Sequence, residues 1–165
     1  VYADLGENQK ALEFFNRALP LEHAVGDRRG EAGTLSNIGS VYNNLGENQK
    51  ALEFYNQALP LERVVGDRGS EAKTLNNIGL IYRELGENQK ALEFYNQALL
   101  LKRAVGDRSG EALTLANLML LWSDQAKPAP AIFYGKQAIN AYQQLRSNIQ
   151  GLDKELQKTY LQTIA

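Results

Sequence analysis

The chain has 165 residues, of which 44% are hydrophobic and 22% are charged, and its formal net charge is −1. A charge this close to zero creates no basic field for nucleic acid or an anionic membrane, so we expect neither as a partner. Cysteine is absent, which excludes disulfide bonds, zinc–thiolate sites and thiol catalysis, and the cytoplasm is the expected location.

The chain is built from a repeat. The string LGENQKALEF occurs three times, beginning at Leu5, Leu45 and Leu85, and the string VGDR follows each copy, so both recur with a period of 40 residues. A repeat of this size is one supersecondary unit that buries its apolar face by stacking on its neighbours. The sequence therefore predicts an array of repeats.

The first predicted elements belong to an incomplete repeat. Tyr2 occupies the register of Tyr42, so residues 1–5 are interpreted as the last turn of one helix and residues 7–25 as the next helix. Three helical hairpins are predicted to follow, near residues 28–65, 68–105 and 108–146. The repeats are thus expected to occupy residues 1–146.

Apolar spacing divides the first full hairpin into two helices. Apolar residues three and four positions apart lie on one face of a helix. By this spacing, the A helix contains Leu35, Ile38, Tyr42 and Leu45. The B helix contains Ala51, Leu52, Tyr55, Ala58 and Leu59. Gly46 suits the left-handed residue that ends the A helix, and Asp67 is placed to cap the next A helix.

Gly39 and its copy Gly79 lie inside A helices, where a glycine costs about 1 kcal/mol relative to alanine. We therefore expect the two helices of a hairpin to approach closely there, with Tyr42 and Tyr55 filling the gaps between hairpins. In the last hairpin, Met119 replaces this glycine and Gly135 replaces the aromatic residue of the B helix. This departure is typical of a terminal repeat that caps a stack.

The last segment, residues 147–165, is expected to be a separate capping or linker helix. Its apolar residues lie at i, i+4 and i+8, which places Leu152, Leu156 and Tyr160 on one helical face.

The first full hairpin resembles the tetratricopeptide repeat in the type and order of seven residues, Leu35, Ile38, Gly39, Tyr42, Ala51, Tyr55 and Ala58. The 40-residue period and the recurrent GDR-x-x-EA-x-TL stretch resemble the extended subclass found in kinesin light chains. The resemblance implies an all-α fold, a right-handed α-solenoid of stacked antiparallel helix hairpins.

A second resemblance concerns residues 131–163. This stretch is similar to the segment that joins a tetratricopeptide array to a caspase-like CHAT protease domain in bacterial, especially cyanobacterial, proteins. It implies a bacterial origin and a role as the repeat portion of a larger protein.

No residue pattern indicates an enzyme, a metal site or a cofactor. The only histidine, His23, lies at a polar repeat position beside Glu22 and is interpreted as a surface residue. The acidic pairs Asp27 with Glu31 and Asp67 with Glu71 fit helix capping better than metal binding. No Gly-rich phosphate-binding motif is present.

Differences between repeats indicate a binding groove. By the resemblance, A helices line the concave side, which places there Gly33, Ser36, Asn37, Ser40, Asn43 and Asn44, and in the next copy Lys73, Asn76, Asn77, Leu80, Arg83 and Glu84. Five of these six positions differ, whereas several exposed positions of the B helix and the turn before it, among them Glu53 and Asn56, are identical in the next copy, at Glu93 and Asn96. Diversification of a groove explains this pattern; an uneven copying event is the alternative.

One groove position does not vary, since Asn37, Asn77 and Asn117 share a register. An amide can donate to and accept from a peptide backbone, and the resemblance implies this role for the row. The alternative is that each asparagine bonds a neighbouring helix and orders the stack. The candidate peptide-binding residues are Asn37, Ser40, Asn44, Lys73, Asn76, Asn77, Arg83, Glu84 and Asn117.

Three functions remain open from the sequence. The chain is interpreted first as a scaffold that binds a peptide or protein segment in its groove. The second hypothesis is a regulatory module of a larger effector such as a CHAT protease. The third is self-association through the incomplete first repeat, where apolar residues such as Leu12 and Phe15 would lie uncovered.

Overall fold

The structure is a computed structural model that describes the backbone of residues 2–163 and the side chains of residues 6–151. The predicted stripe of Leu152, Leu156 and Tyr160 therefore lies outside the described side chains. Within the described backbone there are seven helices and no strand: α1 Tyr2–Val25, α2 Arg28–Asn44, α3 Asn48–Val64, α4 Arg68–Glu84, α5 Asn88–Ala104, α6 Arg108–Asp124 and α7 Pro128–Thr163. The predicted all-α class is confirmed.

The chain divides into two compact units, residues 1–105 with α1 to α5 and residues 106–165 with α6 and α7. In the first unit, α2 packs on α3 and α4 on α5, which forms two hairpins, while α1 packs on α2 and α3 on α4. This consecutive packing is typical of an α-solenoid. The second unit is one hairpin of α6 and α7.

The turns between helices follow the predicted chemistry. Gly46 and Gly66 have φ of +74° and +70°, the left-handed conformation that glycine adopts without a steric cost. The carboxylate of Asp67 accepts a hydrogen bond from the backbone N–H of Ser70 at 3.0 Å, and Asp27 caps α2 in the same way. Both predicted roles, helix end and helix cap, are confirmed.

Gly39 and Gly79 mark close contacts inside the hairpins, as predicted. A Cβ atom at Gly39 would lie 2.9 Å from the ring of Tyr55, and one at Gly79 would lie 2.8 Å from the ring of Tyr95. The ring of Tyr42 stacks on Phe54 of its own hairpin at 5.5 Å, and Tyr42 also packs against a buried cluster with residues from both hairpins.

Two predicted helix boundaries are absent. Helix α1 runs without a break through residue 6, and α7 runs through residue 147 to Thr163. Adding a residue to an existing helix gains a hydrogen bond, and a turn forms only where the chain gains packing by folding back. No described helix precedes α1, and residues 131–151 contain neither proline nor a glycine with positive φ.

In the hairpin of the second unit, the glycine and the large residue at the close contact lie on the opposite helices from those in the other hairpins. A Cβ atom at Gly135 of α7 would lie 2.9 Å from the Sδ atom of Met119 on α6. The large side chain therefore comes from the first helix of this hairpin, and the small residue from the second. Across the described part of the chain, no helix is long and apolar enough to span a membrane.

Candidate functional site

The structure places most of the predicted groove residues of the first unit at the surface of α2 and α4. Asn37, Asn44, Lys73 and Glu84 are exposed, and Ser40, Asn77 and Arg83 are half-buried. Asn117 lies on α6, in the second unit, and is half-buried.

Asn76 was expected to face the groove, and this expectation is wrong. Its side chain is only 5% exposed. Ser36, at the same register one repeat earlier, shows what this position contacts, because its Oγ lies 3.0 Å from Oγ1 of Thr74 on α4. Ser36 therefore contacts the neighbouring A helix of its own unit, and Asn76 is buried rather than exposed to a ligand.

A chain of hydrogen bonds connects three of the helices through the hydroxyl of Tyr55. The Nδ2 atom of Asn77 on α4 donates to this hydroxyl at 3.2 Å, and the hydroxyl lies 3.0 Å from Oγ of Ser40 on α2. Ser40 in turn donates to the backbone oxygen of Ser36 at 3.1 Å. Burial raises the pKa of Tyr55, against the lowering effect of both side-chain partners, which keeps the phenol neutral.

The asparagine row is consequently not uniform. The residue at the register of Tyr55 in α1 is Phe15, which has no hydroxyl group. Asn37 is exposed, and its side chain makes no hydrogen bond to any described residue. The amide of Asn77 is therefore held by the preceding hairpin, whereas the side chain of Asn37 is exposed.

A second set of polar contacts, which the sequence analysis did not predict, joins α1 to α2 and α3 to α4. Thr74 donates to Oε1 of Glu62 at 2.8 Å, and Thr34 donates to Oε1 of Glu22 at 2.9 Å. The same spacing of twelve residues in both pairs was the available signal.

Glu62 is a buried acid inside this set of contacts. It is 1% exposed, and its Oε2 atom has no hydrogen-bond partner among the described residues. Burial raises its pKa to about 7; the bond from Thr74 opposes the shift, and the nearby carboxylates of Asp67 and Glu71 add to it. A charge at this position is disfavoured by the fold.

The residues considered for catalysis take part in ordinary surface contacts. The Nδ1 atom of His23 lies 2.9 Å from Oε1 of Glu31, and its side chain is exposed. Glu71 pairs with Nε of Arg63 at 2.7 Å, and Asp67 pairs with Arg29 at 3.2 Å. Among the described side chains, no group of three acids or histidines is arranged to hold a metal ion.

The expected exposure of Leu12 and Phe15 at the first helix is wrong, because α2 packs on α1 and both residues are half-buried. The exposed apolar residues of α1 are instead Phe14, Leu21 and Val25.

Solved structures share this fold. The chain is similar to BtubC (BKLC) from P. vanneervenii, with 23% identity and a TM-score of 0.78 over 84% of this chain and 57% of that one. It is similar to a Rap protein complexed with Competence and Sporulation Factor, with 16% identity and a TM-score of 0.76 over 85% of this chain and 39% of that one.

A kinesin light chain candidate from P. anserina with nearly identical TPR-like repeats is also similar, at 14% identity and a TM-score of 0.68 over 84% of this chain and 69% of that one. No curated protein matches the sequence. The family model described as tetratricopeptide repeat matches residues 1–63 and 70–144. Because these residues make up most of its length, the chain belongs to the tetratricopeptide repeat family.

Proposed function

We propose that the first unit binds an extended peptide or protein segment across α2 and α4. Tetratricopeptide repeats are generally protein–protein interaction modules, and a chain of this fold is complexed with Competence and Sporulation Factor in the Rap structure. The observation that carries the proposal is Asn37, an exposed amide that no described residue satisfies. Such a group is available to both the N–H and the C=O of a peptide.

The residues around Asn37 give the site its selectivity. Lys73 and Asn44 are exposed and differ from their counterparts in the neighbouring repeat, Gly33 and Glu84. Glu84 is held only at 3.4 Å by the amide of Asn48. A mixed set of charges favours a ligand that itself carries both signs rather than a strongly acidic or basic one.

The test begins with a peptide selected from a random twelve-residue library displayed on phage. Asn37→Ala is expected to weaken this peptide about fivefold, since a hydrogen bond contributes about 1 kcal/mol, and to leave the melting temperature unchanged. Asn56→Ala, at an exposed position of α3, is the matched control and should not change the affinity. Equal affinity for Asn37→Ala and the parent chain would contradict the proposal, as would a library that yields no binder.

A substitution of Asn77 distinguishes an asparagine that orders the helix stack from one that binds a ligand. Asn77→Ala removes the donor to Tyr55, so it is expected to lower the free energy of unfolding, unlike Asn37→Ala. A loss of stability for Asn37→Ala as large as that for Asn77→Ala would show that both amides order the stack.

A further inference from the structure

An apolar stripe runs along α7 and is open to solvent. Ile132, Ile139, Tyr142 and Ile149 are each between 48% and 59% exposed. In α3, the residues at the registers of Ile132 and Ile139 are Leu52 and Leu59, which are 6% and 8% exposed. Helix α4 packs against α3, so the equivalent face of α7 is one that a helix covers elsewhere in this chain.

A groove deepens the stripe at its N-terminal half. It has a volume of about 370 Å³, and its lining includes Met119, Leu120, Ile132, Gly135 and Ile139. The groove exists because Gly135 stands at the register that Tyr55 fills in α3. Met119 is a flexible side chain that adapts its shape to what it contacts.

The stripe is not suited to another hairpin of the α4 type. Between α3 and α4, two polar groups of the B helix hold the next A helix: the hydroxyl of Tyr55 accepts from Asn77, and the carboxyl of Glu62 accepts from Thr74. Helix α7 has Gly135 and Tyr142 at these two registers. Gly135 has no side chain to accept a hydrogen bond, and Tyr142 has a phenol in place of the carboxyl group.

The four exposed apolar residues of α7 have the same spacing whether they are counted from the N-terminal or the C-terminal end of the helix. Its steps are seven, three and seven residues, the a and d positions of a coiled coil, and they are symmetric about the midpoint between Asn140 and Ala141. An antiparallel pair of such helices places Ile132 opposite Ile149 and Ile139 opposite Tyr142. Gly135 then lies opposite Arg146, whose aliphatic stem can cover the groove.

We propose that α7 pairs antiparallel with α7 of a second copy of this chain, about a twofold axis near residues 140 and 141. The contact is isologous, because one stripe complements itself and the assembly closes as a dimer. The length of α7 supports this, since α7 has 36 residues and its hairpin partner α6 only 17.

Dimerization is independent of the proposed peptide groove, so either can fail without the other. Sedimentation equilibrium of the full chain is expected to show a monomer–dimer equilibrium. Ile139→Glu should weaken the dimer at least tenfold, with an unchanged helical circular dichroism spectrum. Leu100→Glu, on the exposed side of α5, is the matched control and should not weaken it. A strict monomer at millimolar concentration would overturn the proposal.

The same experiment distinguishes this surface from α1, where Phe14 is 73% exposed. Phe14→Glu should leave the dimer intact. Dissociation by Phe14→Glu and not by Ile139→Glu would assign self-association to α1 and overturn the proposal.

Disulfide trapping tests the antiparallel register, and the natural absence of cysteine makes it unambiguous. In the double variant Ile132→Cys with Ile149→Cys, mild oxidation should give a dimer linked between position 132 of one copy and position 149 of the other. The two positions are about 26 Å apart on one helix, too far for a bond within a chain. Ile132→Cys alone should not cross-link; efficient cross-linking by this single variant would contradict antiparallel pairing.

Discussion

Replacement of the buried acid Glu62 by glutamine should remove a pH-dependent loss of stability. Glu62 has a pKa of about 7 in the folded chain against an ordinary value of 4.5. Between these two pH values the folded state binds more protons than the unfolded state, so the free energy of unfolding falls as pH rises. The contribution of Glu62 to the free energy of unfolding is fully present below pH 4.5 and is lost as the pH rises through 7.

The size of the effect follows from the shift in pKa. A difference of about 2.5 units corresponds to about 3 kcal/mol at 1.36 kcal/mol per unit. Glutamine keeps an oxygen that can accept from Thr74 and does not ionise. Relative to the parent chain, Glu62→Gln should therefore gain about 3 kcal/mol of unfolding free energy between pH 4.5 and pH 8.

Urea unfolding at several pH values, followed by helical circular dichroism, measures this difference, and the other carboxyl groups cancel in it. Thr74→Val provides a second check, because loss of its hydrogen bond to Glu62 should move the titration to higher pH. A difference between Glu62→Gln and the parent chain that is the same at pH 4.5 and pH 8 would refute the reasoning.

Four further substitutions test the packing and the polar contacts by urea unfolding. Gly39→Ala should lower the free energy of unfolding by about 1–3 kcal/mol, because its Cβ atom would lie 2.9 Å from the ring of Tyr55. Gly33→Ala, which has open space around it, should raise the free energy of unfolding by up to about 1 kcal/mol. Equal effects of the two substitutions would contradict the close contact at Gly39. Tyr55→Phe should cost about 1–2 kcal/mol, because it removes the hydroxyl's hydrogen bonds to Ser40 and Asn77; an unchanged stability would show that the hydroxyl is dispensable. Phe15→Tyr should supply Asn37 with a hydroxyl, raise stability by about 1 kcal/mol and weaken the selected peptide; unchanged peptide affinity would count against competition for that amide.

Much of the helical framework was predictable from the sequence because its signals are local. Gly46 ends a helix through its own positive φ, and Asp67 caps the next through a bond to an N–H three residues away. The repeat also indicated the close contact at Gly39, since a glycine inside a helix needs a packing reason.

Features that depend on packing between elements were not predictable. The string that ends α2 at residues 45–47 also occurs at residues 5–7, where α1 continues through it. The string alone therefore does not determine whether the helix ends there. Similarly, a helical face assigned from spacing alone could not show that Asn76 and Glu62 are buried.

The proposed peptide site on α2 and α4 depends on the exposed amide of Asn37. Its most direct test is an NMR titration of the ¹⁵N-labelled chain with the selected peptide, following the side-chain amide signals. The account predicts a large shift for the Asn37 amide, assigned by its loss in Asn37→Ala, and smaller shifts along α2 and α4. An unmoved Asn37 signal, with shifts confined to α3 and α5, would contradict it.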